Sequence, residues 1–107
     1  MLRFVETPLF TTQIVEILSD LEYSQLQTAL ILQPDLGELI PGTGGLRKVR
    51  WGLPGQGRGK RGGLRVIYYW YVSQSVIFML LVYSKTKQAD LSSEQKRTLR
   101  KIAEDFK

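Results

Sequence analysis

Five basic residues have the spacing of a site that binds a phosphate group. Lys48 and Arg50 are two positions apart, so in an extended strand both side chains point to the same face of a sheet. Arg65 begins a hydrophobic segment, where an unpaired cation is costly to bury; a carboxylate from elsewhere in the chain is one possible partner. Lys85 and Lys87 share a face if the extended geometry of the last strand continues. These side chains predict a cationic patch across adjacent strands.

The segment between two of these strands is rich in glycine and in basic residues. Residues 55–65 read GQGRGKRGGLR, with five glycines and no acid. A G-x-G-x-x-G match lies within it, but a dinucleotide site needs a helix to follow and here a strand follows. A Walker A loop is excluded as well, because Pro54 replaces its first glycine. Two interpretations remain: a solvated hairpin loop, or a loop that grips a phosphodiester backbone through Arg58, Lys60 and Arg61.

The distribution of charge indicates a polyanionic partner. Residues 1–38 carry one basic residue and six acids, residues 39–89 carry nine basic residues and no acid, and residues 90–107 carry five basic residues and four acids. An ordinary solvated surface mixes both signs, which the middle stretch does not. Nucleic acid fits this stretch better than a membrane surface, because its basic part lacks the pattern of an amphipathic helix.

The composition excludes several kinds of site. The 107 residues include neither cysteine nor histidine, so disulfides, Cys/His zinc sites, a thiol nucleophile and an imidazole base are excluded, and we expect no metal and no cofactor. The length predicts a single domain over residues 1–107. The N-terminal residues do not have the pattern of a signal peptide, and the longest apolar run, residues 76–83, is too short to span a membrane. We therefore expect a cytoplasmic protein without membrane contact.

The elements that must position the basic residues follow from local signals. A first strand is expected at residues 2–6. Thr7 and Pro8 are typical of a helix start, and Ser19 with Glu22 matches the capping box of a second helix that ends near Gln33.

The second half of the chain changes to the pattern of strands. Strands are predicted at residues 46–51, 64–72 and 76–83, and Ser92 with Gln95 could cap a final helix. The order β-α-α-β-β-β-α predicts an α+β fold, with an antiparallel-rich four-stranded sheet, two N-terminal helices and a C-terminal helix. Most aromatic residues at positions 68–71 are expected in the core, and Tyr83 is the better candidate for stacking on a base.

Three segments together carry a resemblance to a known family. They are GTGGLRKVR at residues 42–50, GKRGGLRVIYY at residues 59–69 and VYSK at residues 82–85. In these segments the chain resembles the RelE/HigB toxins of bacterial type II toxin–antitoxin systems, and is most similar to the HigB branch. The resemblance covers roughly residues 1–106 and the order of elements agrees.

The resemblance implies a small microbial-RNase-like fold and ribosome-dependent cleavage of mRNA in the A site. It also implies neutralisation by a cognate antitoxin that often carries a helix-turn-helix DNA-binding domain. Carried over by position, the family's basic residues fall on Lys48, Arg50, Arg65 and Lys85, and Arg47 is expected among the RNA contacts. The chain departs from RelE itself at Thr86, where an arginine is usual, and at Ser92, where a tyrosine is usual; Lys87 could compensate for the first.

The composition is compatible with this chemistry, because RNA supplies its own nucleophile in the 2′-hydroxyl group. Lys48 is predicted to take up the 2′-hydroxyl proton, since a cationic neighbourhood favours a neutral lysine. Arg65 and Arg50 are predicted to clamp the phosphate, and Lys85 or Lys87 to act as the acid or as electrostatic support. Two alternatives stay open: a toxin of the same fold directed at another target such as DNA gyrase, and a non-catalytic module that binds RNA or the ribosome.

Overall fold

The computed structural model describes residues 1–52 and 63–106. Within them the chain forms strands and helices in the order β1 (Arg3–Glu6), α1 (Pro8–Ile17), α2 (Asp20–Leu32), β2 (Glu38–Leu39), β3 (Arg47–Trp51), β4 (Leu64–Tyr71), β5 (Val76–Ser84) and α3 (Ser93–Phe106). A short 3-10 turn, Val72–Gln74, joins β4 to β5. None of the helices in the described part of the chain is long and apolar enough to cross a membrane.

The three helices begin where their capping residues predict. The Thr7 side chain accepts a hydrogen bond from the Phe10 amide at the start of α1. Ser19 and Glu22 form a reciprocal capping box at the start of α2. Ser92 accepts from the Gln95 amide at 3.0 Å, while the Gln95 side chain accepts from the Ser92 amide at the start of α3. Each cap satisfies amides that a helix leaves without an internal partner, so these local predictions are confirmed.

Within the described residues, the sheet has five strands in the order β1-β5-β4-β3-β2. β1 runs parallel to β5, and all other neighbours are antiparallel. The α+β prediction is confirmed, but the expectation of four strands is wrong. The additional strand, β2, pairs with β3 through only Glu38 and Leu39, which are both exposed. Two residues cannot establish a period-two pattern, so this strand forms only because β3 lies beside it.

The two faces of the sheet carry different helices. One face packs against α1 and α2, with Val66 and Tyr68 of β4 among its buried residues. The other packs against α3, with Ile67 and Tyr71 of the same strand. We call the second face the α3 face. A register shift between Ile67 and Tyr68, opposite an extra residue on β5, adjusts the pairing of the two central strands.

Two close contacts fix the segments that lead into β3 and β4. The Tyr68 hydroxyl donates to the Pro34 carbonyl at 2.7 Å and accepts from the Gly37 amide at 2.9 Å. These bonds hold the connector after α2 against the sheet. A Cβ atom at Gly63 would lie 2.2 Å from the Trp51 carbonyl oxygen, so the start of β4 requires glycine.

Candidate functional site

The register of the sheet brings three of the predicted basic residues onto one face. On β3, Lys48 pairs with Ile67 and Arg50 pairs with Arg65 of β4. Directly paired residues project to the same side of a sheet. Because Ile67 belongs to the core under α3, Lys48, Arg50 and Arg65 all lie on the α3 face. The prediction that they would come together across adjacent strands agrees with this arrangement.

The three cations differ in burial. Arg65 is only 4% exposed, Lys48 is partly exposed and Arg50 is exposed. One guanidinium nitrogen of Arg65, Nη1, donates to the Leu64 carbonyl at 3.3 Å. Arginine keeps its charge in any protein environment, so Arg65 is a fixed positive charge beneath the two more accessible side chains. A phosphate group that approached this face would meet one exposed, one partly exposed and one buried basic side chain.

Tyr83 of β5 extends the α3 face beyond Arg65. It pairs directly with Arg65, it is 7% exposed, and its buried hydroxyl has no hydrogen-bond partner among the described residues. Burial raises the pKa of this hydroxyl, the nearby Asp90 carboxylate raises it further, and Arg65 partly opposes them. The group is therefore a neutral donor at neutral pH. The buried ring leaves little room for a base to stack, so the arrangement supports a contact through the hydroxyl rather than stacking.

Asp90 joins the site from the loop between β5 and α3, and the sequence reasoning missed it. Its Oδ1 atom accepts from the Leu91 amide at 2.8 Å and lies 3.7 Å from Lys48 Nζ. The Leu91 hydrogen bond and the positive charges of Lys48 and Lys96 lower the pKa of the Asp90 carboxyl, although slight burial opposes them. The sequence did contain a signal for this residue, because Asp90 is the first acid after the acid-free stretch of residues 39–89.

The contact with Asp90 changes the expected environment of Lys48. The predicted cationic neighbourhood of Lys48 also contains an acid, because the Asp90 carboxylate lies 3.7 Å from the Lys48 ammonium. A second acid, Glu38 of β2, is the cross-strand partner of Lys48. Lys48 therefore has a contacting carboxylate and a cross-strand acid among its neighbours.

Lys85 and Lys87 do not continue the extended geometry of β5, so that expectation is also wrong. The Lys87 amide donates to the Ser84 carbonyl at 3.0 Å, which closes a turn over residues 84–87. The Lys85 amide donates to the Gly63 carbonyl at 3.2 Å, and both lysine side chains are exposed. The turn therefore lies at the end of the sheet where β4 begins, two residues beyond Tyr83.

Arg47, another of the predicted RNA contacts, does not join this face. Arg47 pairs with Tyr68, and so lies on the opposite side of the sheet, where its Nη1 atom donates to the Gly37 carbonyl at 2.8 Å. The structure thus separates Arg47 from Lys48 and Arg50. The loop residues that were predicted to grip a phosphodiester backbone lie outside the described residues; they are Arg58, Lys60 and Arg61.

Residues 1–52 and 63–106 contain no group of three or more acidic side chains that could hold a metal ion.

A comparison with protein families identifies the family of the chain. The family model described as the RelE toxin of the RelE / RelB toxin–antitoxin system matches residues 32–107. The match covers more than half of the 107 residues, and it includes Lys48, Arg50, Arg65 and Tyr83. It confirms the RelE part of the resemblance, whereas the HigB branch stays a prediction. The chain belongs to the RelE toxin family and is the toxin of a toxin–antitoxin pair.

Proposed function

We propose that this toxin is a ribosome-dependent endoribonuclease that cleaves mRNA in the ribosomal A site. The observation that carries the proposal is the placement of Lys48, Arg50 and Arg65 on one sheet face, beside the buried Tyr83 hydroxyl. Such a face matches the charge and hydrogen-bonding needs of an RNA phosphate. We further propose that the protein acts in the cytoplasm and that its antitoxin carries a helix-turn-helix domain.

Arginine residues suit the charge that develops during RNA cleavage. The 2′-hydroxyl loses its proton to solvent water as it attacks the adjacent phosphorus, and the bond to the 5′-oxygen breaks as that oxygen gains a proton, which leaves a 2′,3′-cyclic phosphate. Negative charge accumulates on the phosphorane between these steps. Arg65 is held rigidly by burial and Arg50 lies directly opposite it. Preorganised donors of this kind stabilise a developing oxyanion without reorganising during the reaction. We assign both arginines to the phosphorane.

We assign Lys48 a role other than the one predicted from the sequence, which was to take up the 2′-hydroxyl proton. Because Lys48 lies on the face of the two arginines with Asp90 Oδ1 3.7 Å from its Nζ atom, we assign it to hold the phosphate and to protonate the leaving 5′-oxygen. Lys85 and Lys87 lie in the turn that follows β5, where they add positive charge at the same end of the sheet. Their assignment as electrostatic support is retained.

The ribosome has a physical reason to be required. The described part of the site contains no histidine, the side chain most often used for proton transfer, so the reaction depends strongly on in-line geometry at the phosphorus. A codon bound in the A site is held in place, whereas free RNA is flexible, and alignment of reacting groups lowers a barrier by up to about 7–11 kcal/mol in favourable cases. Basic residues of the 39–89 stretch would dock on ribosomal RNA.

The decisive experiment is cleavage of a defined mRNA by purified protein, with and without ribosomes that have an empty A site, mapped by primer extension. Wild type is compared with Arg65→Ala and Arg65→Lys, and with Arg3→Ala as a matched control. Arg3 is an exposed arginine on the edge strand β1, paired with Val76 at the far end of β5.

We expect cuts that require ribosomes, persist in Arg3→Ala and disappear in Arg65→Ala. Arg65→Lys keeps the charge but loses the bidentate geometry, so partial activity is expected. The absence of cuts from folded wild-type protein would overturn the proposal. It would favour a toxin directed at another target such as DNA gyrase, or a non-catalytic module that binds RNA.

A further inference from the structure

The contact between Lys48 and Asp90 has the properties of an exchangeable ion pair. The 3.7 Å separation is too long for a strong hydrogen bond, and the Asp90 side chain is 66% exposed whereas that of Lys48 is 21% exposed. Exposed pairs of this kind contribute little to stability, so they can open at small cost. Asp90 is therefore able to leave Lys48 without disturbing the sheet.

The surroundings of Asp90 are arranged for an anion. Lys48 contacts the carboxylate and Lys96 of α3 is close enough to stabilise its charge. Tyr83 is also within electrostatic range of Asp90, yet its buried hydroxyl has no hydrogen-bond partner among the described residues. A buried donor without a partner is rare in folded proteins and indicates a missing ligand or a functional role. The Asp90 carboxylate offsets the charges of Lys48 and Lys96, but it accepts no hydrogen bond from the Tyr83 hydroxyl.

We propose that Asp90 is a placeholder for a phosphate group of RNA. In the free protein the Asp90 carboxylate occupies Lys48; when RNA binds, a phosphate takes over the contact with Lys48 and accepts a hydrogen bond from the Tyr83 hydroxyl. The two non-bridging oxygens of an RNA phosphate can accept from Lys48 and from the Tyr83 hydroxyl, while Asp90 gives up Lys48 and keeps its hydrogen bond from the Leu91 amide. The identity of the ligand as RNA rests on the proposed function.

The test is a double-mutant cycle on the binding of RNA that cannot be cleaved. The probe is a fluorescein-labelled single-stranded RNA whose 2′-hydroxyls are methylated, and affinity is measured by fluorescence anisotropy at low salt. The variants are Asp90→Asn, Lys48→Met and the double variant. Asparagine keeps an oxygen that accepts from the Leu91 amide, so the loop is preserved. Asp105→Asn, at an exposed position near the end of α3, is the control for net charge.

We expect Asp90→Asn to tighten binding by about two- to fivefold, the range for an exposed ion pair. The gain should vanish in the Lys48→Met background, and Asp105→Asn should give a smaller gain or none. Tyr83→Phe should weaken binding by several-fold with an unchanged melting temperature. An equal gain in the Lys48→Met background, an equal gain from Asp105→Asn, weaker binding by Asp90→Asn, or no detectable binding by any variant would each overturn the proposal.

The binding cycle is independent of catalysis. If the cycle behaves as expected but ribosome-bound mRNA stays intact, the proposed function fails and the placeholder role of Asp90 stands. If mRNA is cut in the A site but the cycle shows no coupling between Asp90 and Lys48, the placeholder role fails alone.

Discussion

Arg50 of β3 lies directly opposite Arg65 of β4, so two arginines face each other across an antiparallel ladder. Like charges at this position destabilise a sheet. The fold nevertheless places these two positive charges side by side on the α3 face, with the Tyr83 hydroxyl next to them. An anion bound on this face, as the proposed function requires, would relieve repulsion between the two arginines.

Replacing Arg50 by glutamine should therefore raise the stability of the fold and lower its cleavage activity. We expect Arg50→Gln to raise the free energy of unfolding by about 0.2–1 kcal/mol, because the repulsion with Arg65 is removed. Cleavage of mRNA in the A site should fall by about tenfold or more, because one donor to the phosphorane is lost. Urea unfolding and primer extension measure the two effects. Arg3→Gln, opposite Val76, should change neither, and a loss of stability in Arg50→Gln would contradict the repulsion.

Two buried tyrosines should respond in opposite ways to the loss of their hydroxyl groups. Tyr68→Phe removes hydrogen bonds to Pro34 and Gly37, so we expect a loss of about 1–3 kcal/mol in the free energy of unfolding. Tyr83→Phe removes a buried hydroxyl that has no partner among the described residues, so stability should stay the same or rise. Denaturant unfolding compares them. A large loss in Tyr83→Phe would mean that its hydroxyl is already bonded in the free protein.

Binding to ribosomes should depend steeply on salt. Each phosphate neutralised by a lysine or arginine adds about one unit to the slope of log affinity against log salt concentration. We expect a steep slope for the wild type and a slope shallower by about one unit for Arg50→Gln, because Arg50 is exposed on the α3 face. Sedimentation with ribosomes between about 50 and 200 mM salt measures it. A flat response would show that docking is not electrostatic.

Lowering the pH should slightly reduce the free energy of unfolding, because the Asp90 carboxylate becomes protonated. The pKa of Asp90 is lowered in the folded protein, first by the Leu91 amide and then by Lys48 and Lys96. A carboxyl with a lowered pKa stabilises the fold above its unfolded pKa of about 3.9, and this stabilisation disappears as pH falls through the folded pKa. Between about pH 5 and pH 3 the wild type should thus lose slightly more stability than Asp90→Asn. Parallel curves for the two proteins would show that Asp90 has no favourable interaction in the fold.

The sequence predicted the parts of the fold whose signals are local. The caps of α1, α2 and α3 depend on residues at most three positions apart, and the structure confirms them. The strands with several alternating or β-branched residues were predicted to within one or two positions. β2 was not, because its two residues follow no pattern of their own and pair only because β3 is present.

In the candidate site, too, the sequence predicted the placement of side chains within a strand but not beyond the end of the strand. Period-two alternation placed Lys48 and Arg50 on one face, and the same rule places Arg47 on the other face, where it bonds to Gly37. The rule also depends on extended backbone, which is why it misplaced Lys85 and Lys87 once the chain turned after Ser84.

By itself, the sequence determined the helix starts, the strand pattern and the concentration of positive charge between residues 39 and 89. Only the tertiary structure decided that Arg50 faces Arg65, and that Asp90 reaches Lys48 from the loop before α3. The physical reason is that both relationships join residues far apart in the chain. Pairing register and loop path depend on how the whole sheet and α3 pack, and no short stretch of sequence encodes them.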